Sequence, residues 1–299
     1  MPPLSATKYL RDQALSQHSA EELTASLAAL ASAGVRTTHD LFMQPDLLPG
    51  LPHGRTLRDL RQLVAAHHAA PGLTARALLA RTPAHTPISS GSPALDALLS
   101  GGVHFGEITE VCGLAGSGRT QLLVALSLSH VRSSPRAHTY YAHAAGMPVG
   151  RMRGSEEELS RVMAVECRSM EGLLAFLYRY ADARELGEAP ELLVVDGVRD
   201  LAVAELRRAG EADFAVDALR RALRRIAAAK APTAVVVVNG VRGGQETEPA
   251  LGFPWSQVAH VRLLLQRMPG VEARTLATLL RATGRMAQQT AEFVFVQGR

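Results

Sequence analysis

The chain reads as an α/β protein: a phosphate-loop core on a mostly parallel central sheet, preceded by a small helical N-terminal domain. Three observations point there. Short apolar runs alternate with helical runs through the last two thirds of the 299 residues, the pattern of parallel strands whose connections cover both faces. A glycine-rich turn joins one apolar run to a helix. Residues 19 to 80 carry only helical spacing, broken at Gly34, and a Pro-, Thr- and Ala-rich stretch from Thr82 to Ser92 separates the two regimes. The expected division is 1–80 helical domain, 81–92 linker and 93–299 core.

In the first region, Glu21 to Ala31 has apolar residues at helical spacing, Thr38 caps a second helix, and Leu57 to Ala66 supplies a third. In the core, the expected strands are Ile108–Cys112, Thr139–Ala142, Met163–Cys167, Leu192–Val195, Ala234–Val238, Val261–Leu265, Ala277–Leu280 and Phe293–Val296. Helices at Gln121–Val131, Met170–Tyr180 and Phe214–Ala229 connect them. Val235 to Val238 is a continuous β-branched run, the mark of a central strand buried on both faces.

Composition removes several classes of protein. With 47% hydrophobic residues the chain has ample material for a core. No stretch approaches the roughly 20 apolar residues that cross a bilayer, and the N-terminus lacks an apolar signal core, so an intracellular protein without a membrane span is expected. Cys112 and Cys167 are the only cysteines, which excludes a disulfide scaffold and gives no metal-type spacing. The net charge of +4 permits an anionic partner without requiring one. Arg220, Arg221, Arg224 and Arg225 form a basic stripe on one helix, a pattern more often solvated than functional.

The chemistry concentrates at residues 107–120. Gly113, Gly116 and Gly118 free the backbone to turn N–H groups inward, and the helix beginning near Thr120 aims its positive end at the same place, so residues Gly113, Leu114, Ala115, Gly116, Ser117, Gly118, Arg119, Thr120 and Gln121 form the candidate nucleotide site. Thr120 offers a hydroxyl to Mg2+. Asp196, closing the apolar run 192–195, is the acid expected to position the same ion. Asn239, closing the valine run, is a candidate phosphate sensor. Arg119 stands where such loops normally carry lysine, in a chain whose only lysines are Lys8 and Lys230. A guanidinium is a planar fork and an ammonium a compact point charge, so retained phosphate affinity with poorer transition-state placement is expected.

These residues, in this order, resemble the RecA/RadA recombinase family, and within it the eukaryotic recombinase paralogues, most of all the type called D. The resemblance rests on Ile88–Gly102 leading into the loop, on Gly106–Val111 as first core strand, and on Pro249–Trp255 followed by Val261–Leu265. Less specifically, Leu30–Leu41 is similar to the family's small helical domain. The resemblance implies a RecA-like core that binds ATP and Mg2+, a nuclear location, a heteromer with other recombinase paralogues, and contact with single-stranded or branched DNA through that complex. By the same resemblance the loops after Asp196 and Asn239 would face DNA, with contacts at Arg199, Arg207 and Arg208 in the first and Arg242 in the second.

Two departures then matter. The water-positioning glutamate of active members falls at Ala145, and no Asp or Glu occurs between Tyr140 and Gly154. The glutamine that senses the terminal phosphate falls at Gly240. His143 could replace the glutamate in principle, although a histidine at a strand end is more often structural. Loss of a positioned base removes about a hundred- to ten-thousandfold in rate, whereas binding rests on backbone amides and the metal. An assembly subunit with weak or absent ATP hydrolysis is therefore expected, at most a weak DNA-dependent ATPase; an active DNA-dependent ATPase with strand-exchange activity is the alternative. A small-molecule kinase, which would need a substrate pocket and lid of its own, is a remote third reading that the Pro249–Trp255 segment argues against.

Overall fold

The computed structural model describes residues 20–43, 61–62, 65, 72, 74–77, 85–187, 191–209, 212–242, 245–251, 255–268, 274–283 and 287–294. The chain divides into two compact units, Met1–Pro83 and Ala84–Arg299.

In the first unit, α1 (Ala20–Ser32) and α2 (Thr38–Met43) are joined through Gly34, whose φ of 85° is a left-handed value that favours glycine. Asp40 accepts from the N–H groups of Arg36 and Thr37, and Thr37 accepts from Asp40 N–H, a reciprocal cap at the start of α2. Most of the helix expected at Leu57–Ala66 lies outside the described residues.

The second unit opens with residues that were expected to form a linker. Ile88 is buried and exchanges two backbone hydrogen bonds with Val103, while Asp96 accepts from Ser89, Ser90 and the Ser90 N–H. Asp96 lies on α3 (Pro93–Leu98), a one-turn helix capped by the Ser92 side chain with proline at its start. Proline and serine thus serve here as cap and turn residues, not as spacer.

The sheet follows. Its strands are β1 (Ile108–Gly113), β2 (His138–His143), β3 (Val162–Glu166), β4 (Glu191–Asp196), β5 (Thr233–Val238), β8 (Val261–Arg267), β9 (Arg274–Ala282) and β10 (Thr290–Val294), in the order β10-β9-β8-β1-β5-β4-β2-β3; a separate hairpin, β6 (Val241–Arg242) and β7 (Gln245–Pro249), leaves the end of β5. Pairing is parallel from β8 to β3, and the β8–β9 and β9–β10 pairs are antiparallel. The structure thus bears out a mostly parallel α/β core. Of the last strand expected at Phe293–Val296, residues 295 and 296 lie outside the described residues.

β1 and β5 sit at the centre, all six residues of each buried, with the one carboxylate among them, Glu110, paired inside the protein. On one face α4 (Arg119–Ser133) lays Leu122, Leu123 and Leu126 against Val111, Val194 and Val236. On the other, α6 (Met170–Leu186), α7 (Val198–Ala209) and α8 (Ala212–Ala227) bring Leu173, Leu177, Leu201, Leu219 and Leu223 against Ile108, Leu193, Val195 and Val237. α5 (Glu156–Ser160) precedes the edge strand β3 and is closed by a reciprocal Ser155–Glu158 cap. Parallel strands all point their carboxyl ends one way, so Gly113, His143, Asp196 and Val238 finish at the same rim.

Candidate functional site at the carboxyl rim of the sheet

The loop between β1 and α4 is built by its glycines at two points. A Cβ on Gly113 would lie 2.4 Å from the Leu265 carbonyl oxygen and 2.7 Å from Ser117 Oγ, so only a bare backbone fits between β8 and the loop. Gly118 takes φ of 95° as the N-cap of α4 and offers no side-chain cap. The first N–H groups of α4 therefore keep their donor capacity and face outward with the positive end of the helix. Ser117 N–H donates to the Leu114 carbonyl, which closes the turn, while Ser117 Oγ is buried and finds no hydrogen-bond partner among the described residues. Leu114, Ala115 and Gly116 are exposed at the tip; Thr120 and Gln121 are half-buried on the first turn.

Arg119 is held in a defined place. Its Nη1 donates to the main-chain carbonyl of Asn239, 2.7 Å away, at the end of β5. Burial pushes the guanidinium pKa down, opposed by the negative charge of Asp196. Across β4, Tyr141 Oη donates to Asp196 Oδ2 at 2.9 Å, joining residues 55 positions apart. Burial pushes the Asp196 carboxyl up, and the Tyr141 hydrogen bond and Arg119 pull against it. The same burial, together with Asp196, raises the Tyr141 phenol, which stays a proton donor. An orphaned buried hydroxyl, an uncapped helix start, a cation whose described partner is one carbonyl, and a carboxylate held against its solvation preference fit the donor set that a magnesium-bound polyphosphate requires.

Other expected site residues fall elsewhere. The Asn239 side chain lies on the far face of the sheet: its Nδ2 donates to Glu110 Oε1 at 2.8 Å and its Oδ1 accepts from Gly240 N–H. It is committed to the core, and only the main chain of Asn239 faces the loop. Glu110 is fully buried and also accepts from Trp255 Nε1 at 2.7 Å and from Arg262 Nε at 2.5 Å. His143 Nδ1 accepts from Gly146 N–H at 3.1 Å, which fixes the turn after β2. Ala145 is exposed on that turn, and Ala144 N–H donates to the Asp196 carbonyl.

Arg199 is exposed on the first turn of α7. The side chains of Arg207, Arg208 and Arg242 lie outside the described residues, although their backbones belong to α7 and β6. The basic stripe of α8 is largely paired: Arg220 and Arg221 bind Asp217, Arg225 binds Asp182, and Arg224 donates to the Gln257 carbonyl. Two residues of the rim escaped the sequence reading. Tyr141 was hidden because a strand residue's contacts run sideways, and Asp200 because it lies on a helix where a loop was expected; its charge bears on both Asp196 and Arg119.

Among the described residues no group of three or more His, Cys, Asp or Glu side chains could hold a metal by itself, and no helix is long and apolar enough to cross a membrane. No family model matches the chain. Comparison with curated proteins finds "DNA repair protein RAD51 homolog 4" of Mus musculus, 28% identical over 236 residues, 72% of each chain. The Bos taurus protein of the same name is 29% identical over 263 residues, 79% of each chain. "DNA repair protein XRCC3" of Bos taurus is 30% identical over 226 residues, 63% of this chain and 65% of the relative.

Proposed function

We propose, from its likeness to these relatives, that the chain is a recombinase paralogue of the RecA/RAD51 type and an ATP-binding assembly subunit of homologous-recombination DNA repair with little or no hydrolysis of its own. The observation that carries this is the pairing of an open, uncapped phosphate loop with a β2 end that carries Ala145 and a structurally engaged His143 in place of an acid. Residues 113–121 hold the phosphates through backbone N–H groups and the helix end. Thr120 and Asp196 hold Mg2+, whose charge offsets that of the phosphate oxygens. Tyr141 orients Asp196 by its 2.9 Å hydrogen bond. Without a positioned base the attacking water is left to chance, at a cost of about a hundred- to ten-thousandfold in rate.

The working assembly in this reading is a heteromer with other recombinase paralogues, in the nucleus, engaging single-stranded or branched DNA through the complex. The helical N-terminal domain serves assembly, and the core that follows it binds nucleotide. Arg207, Arg208 and Arg242 are the DNA-contacting candidates. Steady-state ATP turnover by the purified chain, alone and with single-stranded DNA, tests the reading: turnover at the level of an active recombinase would remove it.

The active-ATPase alternative draws on one observation, the Asp200 carboxylate beside Arg119 and Asp196. It requires that Asp200→Asn abolish a DNA-stimulated turnover present in the intact chain.

A further inference from the structure

Gly240 follows β5 directly, and its neighbourhood is unusual for a glycine at a strand end. A Cβ built on it would lie 2.6 Å from Cδ of Arg199, 3.2 Å from Nε and 3.5 Å from Nη1. The space that a side chain of residue 240 would fill is thus taken by the arginine stem arriving from α7. Arg199 reaches it because β4 and β5 are parallel neighbours, so the first turn of α7, just past Asp196, stands beside the end of β5.

Two arginine side chains therefore meet the main chain at Asn239–Gly240. Arg119 donates to the carbonyl of Asn239 at 2.7 Å, and Arg199 lies against the Cα of the next residue, Gly240. Arg199 is exposed, and no described residue is recorded as its hydrogen-bond or ion-pair partner. Two like charges gathered at one peptide beside an uncapped helix start are stabilised by an anion set between them, and a guanidinium fork matches phosphate oxygens in geometry as well as charge.

We propose that Arg199 is a phosphate-contacting residue of the nucleotide site, its guanidinium taking the terminal phosphate of a nucleotide whose inner phosphates lie on Gly113–Thr120. Gly240 leaves open the room that the arginine stem occupies, and a Cβ there would push the stem aside. The inference rests on the nucleotide-binding reading above and adds to it the group that tells a triphosphate from a diphosphate. The same guanidinium chemistry could serve a nucleic-acid phosphate, which the position beside Arg119 disfavours and the test separates.

Isothermal calorimetry of the full-length chain with Mg-ATP and with Mg-ADP, for wild type, Arg199→Ala, Arg199→Lys and Gly240→Ala, decides it. Arg199→Ala weakens ATP about ten- to a hundredfold, the loss of a charge-assisted hydrogen bond, and ADP by less than about threefold. Arg199→Lys recovers part of the ATP affinity, and Gly240→Ala shifts ATP in the same direction as Arg199→Ala by expelling the stem. Equal losses for both nucleotides, or unchanged ATP affinity, overturn the proposal. So does an Arg199→Ala protein that keeps its ATP affinity but loses affinity for a fluorescent single-stranded oligonucleotide. Wild-type chain that binds neither nucleotide sinks the nucleotide-binding reading as well; wild type that binds both while Arg199→Ala behaves identically sinks this inference alone.

Discussion

Two acid–arginine groups lie on opposite faces of the same sheet, and they differ in how completely they are satisfied. Around Glu110, every partner is present: one buried carboxylate takes an amide, an indole N–H and a guanidinium, and Arg262 spends a further N–H on the Ser256 carbonyl. Around Asp196, one tyrosine hydroxyl reaches the carboxylate, Arg119 settles for a main-chain carbonyl, and Ser117 Oγ is left over. Buried polar groups that are fully paired hold a fold together, whereas those left short of partners mark where a ligand belongs. The two groups are joined at Asn239, whose side chain serves one and whose carbonyl serves the other.

Mutation should separate them most sharply in stability. Glu110→Ala strands three buried donors, including the Arg262 guanidinium, and should cost about 3–5 kcal/mol. A urea titration followed by the emission of Trp255, the only tryptophan and itself a Glu110 partner, reads that loss as a lower midpoint with the native emission moved to the red. A loss near zero would show that the cluster is not structural. Asp196→Asn should do the opposite. It removes a charge that burial opposes, so the variant should gain about 1 kcal/mol, roughly 2–4 °C in Tm, while losing magnesium-dependent nucleotide affinity.

The pH dependence sharpens that contrast. The Asp196 carboxyl is pushed up in the folded state, so its ionised form destabilises the fold above that raised pKa. The penalty is relieved as pH falls through the raised value toward the ordinary carboxylate range near pH 4. The Tm advantage of Asp196→Asn over wild type should therefore be largest at neutral pH and shrink on acidification; an advantage that grows would reverse the assigned cause.

Much of the fold was legible from local pattern, and much of the site was not. β5 announced itself because four consecutive valines suit a strand with no wet face, and the glycine loop because strand, turn and helix follow one another in sequence. α7 was missed since the stretch after Asp196, with Arg199, Arg207 and Arg208, was read as a loop facing DNA, and the hydrogen-bonded turns at Ser89–Ser92 since proline and serine look like linker. Glu110 was passed over for a different reason. It sits in an apolar run, and its partners Asn239, Trp255 and Arg262 lie 129, 145 and 152 residues away, beyond any periodicity a local window can register. The amide of Asn239 was assigned to the phosphate side because strand alternation tells that residues 238 and 239 face oppositely, but not which of the two faces carries the loop helix.

The smallest expected effect concerns the Cys112 thiol, two residues along β1 from Glu110. Burial first, and Glu110 second, push the Cys112 thiol up to about 12. Native protein at pH 8 should leave Cys112 unmodified by iodoacetamide under conditions that label it fully in urea, as peptide mass spectrometry would show. Labelling of native Cys112 at the denatured rate would contradict the closed packing around Glu110.

The difference between a finished polar cluster and an unfinished one comes down to whether the rim binds what its groups lack. Calorimetric titration of the purified chain with Mg-ATP measures this directly. Saturable binding at one site, strongly weakened by Asp196→Asn while Glu110→Gln protein that remains folded still binds, is the predicted result; a wild-type chain that takes up no heat at any nucleotide concentration would contradict it.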